Sequence, residues 1–398
     1  MEIGLVGKPN VGKSTFFNAL TLLDAPMAPY PFTTTKPNRG VAAVRVACPH
    51  VEKGTACNPG NARCVRGTRW VPVNLLDVPG LVPGAHEGKG LGHQFLDDLR
   101  VADGFIQIVD VSGGTSPEGV LAPPGAFSSA EEVTWLEDEL VLWVAEILGR
   151  GFERDARGLE LEGGKLDEFV ERRLTGLQIA PAHVATALRE LALDRQHPSR
   201  WTPEDRSRLA RVILRLSKPR LVAANKSDKA TDEQLRALRE DVKPLPVVPA
   251  AAEAELTLRR AARAGVIDYT GGDPTFHVTQ PDRLNAAQLH ALEEVRRVVE
   301  RFHGTGVQLA LESMVFQRLH QIVVFPVEDD VRWTDSQGRV LPDAFLVPAG
   351  TPARAVAYRV HTDLGENFIR AIDARTHRVL GADHPLEPGA VVRFAARK

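Results

Sequence analysis

Residues 7–14, Gly7-Lys8-Pro9-Asn10-Val11-Gly12-Lys13-Ser14, fit the pattern G-x-x-x-x-G-K-[ST], and Thr15 adds a second hydroxyl. Glycines at both ends let the backbone close around phosphate oxygens and turn its N–H groups toward them. Lys13 can reach the β- and γ-oxygens, and the Ser14 hydroxyl can ligate Mg²⁺. The pattern does this work only between a strand and a helix. The apolar run Ile3–Val6 precedes it, and a helical pattern over Ser14–Leu22 follows it.

Two further patterns supply what a phosphate loop lacks. Asp77-Val-Pro-Gly80 ends the apolar run Val71–Val78, placing a carboxylate at a strand end beside the Mg²⁺ shell and a glycine N–H where a γ-phosphate would lie. Asn225-Lys226-Ser227-Asp228 follows the apolar run Leu221–Ala224. An ionised Asp228 can accept from both N1–H and N2–H₂ of guanine, whereas adenine offers one donor beside an acceptor. A mismatch that leaves such a group unpaired discriminates by ~10⁴-fold or more. The base is therefore expected to be guanine.

Positioning these residues requires a sheet. Short apolar runs at Ile3–Val6, Val41–Val46, Val71–Val78, Phe105–Val111, Leu221–Ala224 and Leu245–Pro249 read as buried strands of a mostly parallel α/β fold. From Glu131 to about Ser217 the spacing of Trp135, Leu136, Leu140, Val144 and Ile147, and again of Leu209, Val212, Ile213 and Leu216, is helical. The expected organisation is a P-loop domain over 1–130 and 218–303, a helical insertion over 131–217, and a third region over 304–398. That region follows a helix at Asn285–Phe302 and is expected to carry strands at Arg339–Leu341, Val379–Leu380 and Val391–Phe394 between glycine and proline turns, a small α+β module.

Together the three motifs resemble those of a translation-factor-type GTPase. Tyr30-Pro-Phe-Thr-Thr34 and Pro37-Asn38-Arg39-Gly40 narrow the resemblance to the Obg superfamily. His86-Glu-Gly-Lys-Gly-Leu-Gly92 and Phe95-Leu-Asp-Asp-Leu-Arg100 are similar to its YchF-related branch, in particular the form with a cysteine-containing insertion. The resemblance covers almost the whole chain. It implies a P-loop GTPase domain interrupted by a helical insertion, a C-terminal TGS module of β-grasp fold, and association with ribosomes or translation. It also implies that Thr34 joins Ser14 and Asp77 on Mg²⁺, with Thr33 and Thr35 as neighbouring alternatives.

Departures from the family pattern bear on mechanism. YchF proteins proper replace N-K-x-D and accept ATP, but Asn225, Lys226 and Asp228 keep the guanine form. An ATP-preferring relative is the alternative. The serine of the later S-A element is replaced by Ala251-Ala252, leaving backbone N–H groups as the expected contact to guanine O6. Leu81 follows Gly80 where many relatives place the glutamine that orients water, so intrinsic hydrolysis is expected to be slow. In related GTPases an asparagine at this loop position can ligate K⁺, so the resemblance implies for Asn10 a K⁺ ligand that adds positive charge near the phosphates; the alternative is a structural role in holding the loop.

All three cysteines lie in Cys48-x-His50-x₆-Cys57-x₆-Cys64. Three thiolates and an imidazole can complete a structural zinc site, and the alternative is three reduced thiols on a glycine-rich hairpin. A complete four-ligand set would leave no open catalytic position.

Composition bounds the partners. With 43% hydrophobic residues, 49 basic against 51 acidic side chains and a net charge of −2, disorder is not expected and no global field draws the chain to nucleic acid or membrane. No apolar run approaches the ~20 residues of a spanning helix; a cytoplasmic protein is expected. Residues 304–398 hold 11 basic and 11 acidic residues, so any RNA contact there depends on a local patch, with Arg354, Arg359, Arg370, Arg375 and Arg378 as its candidates. Ribosome or RNA binding through the TGS module and the helical insertion stands beside a nucleotide-dependent switch that binds a protein partner instead.

Overall fold

Four runs of apolar residues set the frame of the computed structural model, which describes residues 1–22, 39–78, 80 and 100–397. Strands β1 (Glu2–Val6), β5 (Gly104–Asp110), β6 (Arg220–Asn225) and β7 (Val247–Pro249) pair in parallel in that order, and the end of β4 (Thr68–Asp77) pairs in parallel with the other side of β1. Every residue of β5 and β6 is buried. Helices cover both faces of such a sheet, so its strands need no polar alternation.

Close contacts divide the described residues into two units, one from 1–19, 39–40 and those within 74–310, the other from 20–22, 41–73 and 311–397. In the first unit, five helices fill the chain between β5 and β6: Ser129–Gly149, Phe152–Glu162, Leu166–Leu174, Pro181–Glu190 and Pro203–Ser217. The first is capped by the Ser128 hydroxyl accepting from the Glu131 N–H at 3.3 Å, and the last by a reciprocal Thr202–Asp205 box. Leu136, Leu140, Val144, Leu209 and Ile213 turn into a common core around Phe152, which stacks on Trp201 with centroids 5.6 Å apart and meets Phe169 edge-on at 5.4 Å. Burying each such aromatic contributes about 1.5–3 kcal/mol.

A buried polar cluster closes this unit. Glu255 accepts from Arg259 Nε at 2.5 Å and from Tyr269 Oη at 2.6 Å, and Thr305 Oγ1 donates to the same carboxylate. Arg259 Nη2 also donates to Gln308 at 3.0 Å. Each of these charges is satisfied inside the protein, which is what keeps burial of the pair tolerable.

The second unit holds a five-stranded sheet in the order β11 (Phe345–Pro348), β10 (Gln321–Val327), β14 (Val391–Ala396), β12 (Phe368–Asp373), β13 (Val379–Leu380). The central pair β10–β14 is parallel, and the pairs outside it are antiparallel. Helix Ala353–Val360 sets Ala353 and Val356 against Ile322, Val324, Val347 and Ala371. This is the sheet-and-helix packing of a β-grasp module. Beside it, β2 (Arg39–Ala47) and β3 (Arg63–Val65) flank β4, and the small hairpin β8 (Ile267–Asp268) with β9 (His277–Val278) belongs to the first unit.

One expected strand is absent. Arg339–Leu341 does not extend, because Asp335 Oδ1 accepts the N–H groups of Gln337 and Arg339 and bends the chain, and Leu341 takes a left-handed φ of 45° with its N–H on the Trp333 carbonyl. Val340 keeps only an isolated bridge to Thr334.

Candidate functional site

Strand β1 delivers the chain into the phosphate loop, and helix Lys13–Thr21 leaves it. A side chain at Gly7 would place its Cβ 2.4 Å from the Ile108 carbonyl oxygen. At Gly12, where φ is 95°, it would lie 2.3 Å from Asn225 Nδ2. Both positions therefore need glycine. Lys13 Nζ lies 2.8 Å from Asp77 Oδ1, and the exposed Ser14 hydroxyl donates to Asp77 Oδ2 at 3.2 Å. Thr15 is half-buried one residue further along the helix. Gly80 packs against Pro9, with a built Cβ falling 3.1 Å from the proline ring.

Within the loop the side chains divide the work. Val11 is buried, and its carbonyl receives Asn225 Nδ2 at 2.8 Å. Asn225 Oδ1 accepts the Ala252 N–H at 3.0 Å. A single buried amide thus fixes the phosphate loop to both segments of the base side. Asn10 has a left-handed φ of 64° and gives Nδ2 to the Gly119 carbonyl at 2.8 Å, a structural tie that leaves Oδ1 as its acceptor atom. Lys8 points away from the phosphate side: its buried ammonium donates to the Thr115 carbonyl at 2.7 Å and meets Glu132 Oε2 at 3.0 Å. Burial pushes the Glu132 carboxyl up to about 7 against the opposing pull of Lys8.

Behind the base side lies an anchor that the motifs do not announce. Lys226, with φ of 59°, donates to Asp110 Oδ2 at 2.8 Å and Thr115 Oγ1 at 3.2 Å. Asp110 also accepts Ser112 Oγ and Thr115 Oγ1, each at 2.5 Å. Burial alone would raise its carboxyl, but the hydrogen bonds from Lys226, Ser112 and Thr115 and the Lys226 charge outweigh it and hold it below the usual carboxylate range. With Lys226 so tied, Asp228 is left exposed on the turn Ser227–Lys229, with no partner among the described residues. Ser227 is fully buried beneath it, donating to the Ala224 carbonyl at 2.6 Å and accepting the Ala250 N–H at 3.0 Å.

The backbone N–H groups expected to meet guanine O6 have partners within the protein in this structure. The Ala251 N–H is donated to the Thr305 carbonyl at 2.9 Å, and that of Ala252 to Asn225. Thr34, with Thr33 and Thr35, and Leu81 lie outside the described residues, as do Tyr30–Thr34, Pro37 and Asn38, His86–Gly92 and residues 95–99.

Sequence reasoning missed Asp110, Thr115 and the Lys8–Glu132 pair. Asp110 carried one signal: it ends an apolar strand, as Asp77 does. In the second unit, the ligand atoms of Cys48, His50, Cys57 and Cys64 converge within 4.8 Å of one another. The five arginines proposed as an RNA patch are exposed, though Arg375 is paired with Glu52 at 2.6 Å and Arg354 Nε donates to the Gly365 carbonyl at 3.1 Å.

A glycine loop between strand and helix, a lysine and hydroxyl facing a strand-end carboxylate, and an N-K-x-D turn at the end of β6, two strands from β1 in the same sheet, define a P-loop nucleotide-binding protein. Family models match residues 2–134 as 50S ribosome-binding GTPase, residues 223–329 as the G4 motif-containing domain of the YGR210-like Obg-like GTPases, and residues 337–396 as TGS domain. An uncharacterized GTP-binding protein of Methanocaldococcus jannaschii is 42% identical over 99% of this chain and 98% of its own length. Another, of Schizosaccharomyces pombe, is 33% identical over 100% of this chain and 98% of its own. The crystal structure of a GTP-binding protein from Pyrococcus horikoshii is similar over 100% of both chains, at 36% identity and a TM-score of 0.79. The chain belongs to the Obg-like, YchF-related family of P-loop GTP-binding proteins.

Proposed function

We propose that this protein is a Mg²⁺-dependent molecular switch that binds GTP, hydrolyses it slowly to GDP and phosphate, and associates with ribosomes. The observation that carries the reading is the exposed Asp228 carboxylate, without a partner among the described residues, on a turn whose Asn225 is tied to the phosphate loop and whose Lys226 is anchored on Asp110. Two hydrogen bonds from guanine would complete it.

Gly7 and Gly12 open the loop to the phosphates, Lys13 neutralises their charge, and the Gly80 N–H is offered to the γ-phosphate. The Ser14 hydroxyl and Asp77 carboxylate, 3.2 Å apart, are the hard oxygen donors that Mg²⁺ prefers, and Thr34 is the third donor by family resemblance. Bound there, the metal would spread the charge that develops on the β- and γ-oxygens. Lys13 serves binding and catalysis alike. Leu81 has no hydrogen-bonding atom with which to orient water, which supports a slow rate. Asn10 Oδ1 is proposed to ligate K⁺ beside the phosphates, so GTP turnover should be faster in K⁺ than in Na⁺ buffer; equal rates would leave Asn10 a structural tie only.

The ribosomal part rests on the family model for residues 2–134 and on a relative of 26% identity from Escherichia coli O157:H7 named Ribosome-binding ATPase YchF. Contact through the TGS module and the helical insertion is proposed with it, in the cytoplasm. No described helix is long and apolar enough to cross a membrane. Cosedimentation with ribosomes should depend on GTP and weaken with salt if RNA phosphates contribute. Its failure in every nucleotide state, with GTP binding intact, would instead favour a switch acting on a protein partner.

A further inference from the structure

Between β2 and β4 the chain makes a detour that the nucleotide site does not use. Cys48 follows β2, His50 opens the short helix His50–Lys53, Cys57 lies in the following loop and Cys64 in β3. Their four ligand atoms meet within 4.8 Å. Cys48 Sγ and Cys57 Sγ are 3.9 Å apart, and Cys64 Sγ is 3.6 Å from His50 Nδ1.

These separations select among the chemistries open to three cysteines and a histidine. A disulfide requires sulfurs about 2.05 Å apart, half the distance present. A tetrahedral Zn²⁺ with Zn–S near 2.3 Å and Zn–N near 2.0–2.1 Å places two sulfurs about 3.8 Å apart and a sulfur and nitrogen about 3.5 Å apart. Both spacings match.

Charge supplies a second, independent observation. Arg69 is fully buried, and its Nη2 donates to Cys48 Sγ at 3.4 Å. Three thiolates and a neutral imidazole around Zn²⁺ carry one net negative charge, which the Arg69 guanidinium balances. Partners of this kind, donating to a ligand atom from behind, orient and stabilise metal ligands.

The same Arg69 Nη2 donates to the Leu341 carbonyl at 2.9 Å, and it leads to what the site holds. The N–H groups of Asn58 and Gly60 donate to the carbonyls of Val340 and Pro342 at 2.8 and 2.6 Å. Asn61 exchanges two hydrogen bonds with the backbone of Ala344, at 3.1 and 2.9 Å. Residues 58–61 lie between the second and third cysteine. Their backbone must be fixed for this row of bonds to form.

We infer that Cys48, His50, Cys57 and Cys64 bind one structural Zn²⁺, and that the metal holds residues 58–61 in the shape that docks on residues 340–344 of the TGS region. All four positions are filled by protein, so the site takes no substrate. It is a staple whose loss would free the segment from the C-terminal module without touching Lys13 or Asp228.

The full chain purified from zinc-supplemented medium should carry one equivalent of zinc by elemental analysis. Replacing zinc by Co²⁺ should give the intense visible bands of a tetrahedral thiolate site. Cys57→Ser should lower zinc to a small fraction of an equivalent. On metal removal, amide hydrogen exchange should rise at residues 58–61 and 340–344 while GTP affinity stays unchanged. Zinc well below one equivalent together with a wild-type chain that shows no cobalt bands would overturn the metal site whatever the folding of the variant. A bound metal whose removal leaves exchange at 340–344 unaltered would overturn the docking role.

Discussion

Asp228→Asn is expected to lower GTP affinity by ~10²-fold or more and to transfer preference to xanthosine triphosphate, because hydrogen bonds to a charged group are each worth about 1.5–3 kcal/mol. The carboxylate accepts two donors from guanine, N1–H and N2–H₂. An amide has one acceptor and one donating group, so its NH₂ would face the guanine NH₂. Xanthine presents N1–H beside a carbonyl oxygen and restores the match. The substitution should leave the fold intact, since Asp228 is exposed and makes no bond that the surrounding turn relies on. Its neighbours stay in place through the Asn225–Val11 and Lys226–Asp110 bonds. Calorimetric titration with both nucleotides checks this. Unchanged GTP affinity would mean that the base is read elsewhere.

Lys13→Ala should be as severe and should not discriminate between bases. The ammonium lies 2.8 Å from Asp77, beside the place the motif assigns to the β- and γ-phosphates. Removing it loses charge-assisted bonds to the nucleotide and leaves Asp77 facing phosphate without a counter-charge. A fall of ~10²–10³-fold is expected for the triphosphates of guanosine and xanthosine alike. Combining Lys13→Ala with Asp228→Asn should therefore abolish the xanthosine rescue. Persistence of that rescue would place the phosphates away from this loop.

Much of this arrangement was legible because the strands that carry it are buried on both faces. Continuous apolar runs located β1, β5 and β6 to within a residue or two at each end, and turn chemistry placed Asp77 and Asn225 at strand ends. The helical insertion declared itself by the 3.6-residue spacing of Leu136, Leu140 and Val144. The C-terminal module was harder to read. Strand β10 contains Pro326, which argues against a central strand, yet β10 lies between β11 and β14. Arg339–Leu341 has the composition of a strand but sits where Asp335 captures the local N–H groups.

Buried polar contacts were invisible for a different reason. The Lys8–Glu132 pair and the Glu255–Arg259–Tyr269 cluster join residues whose spacing follows no period, so only the folded chain brings them together. Lys8 shows the consequence: its ammonium is held in the interior by the Thr115 carbonyl and Glu132. Ala251 and Ala252 show it again, their N–H groups being taken by Thr305 and Asn225.

The central claim is that a YchF-related chain with an intact N-K-x-D turn reads guanine, although two relatives bear the names Obg-like ATPase 1 and Ribosome-binding ATPase YchF. Titration of the wild-type protein with GTP and ATP, each with Mg²⁺, tests it most directly. GTP should bind ~10⁴-fold more tightly, the discrimination expected when the wrong base leaves a polar group unpaired. Equal affinities, or a preference for ATP, would contradict it.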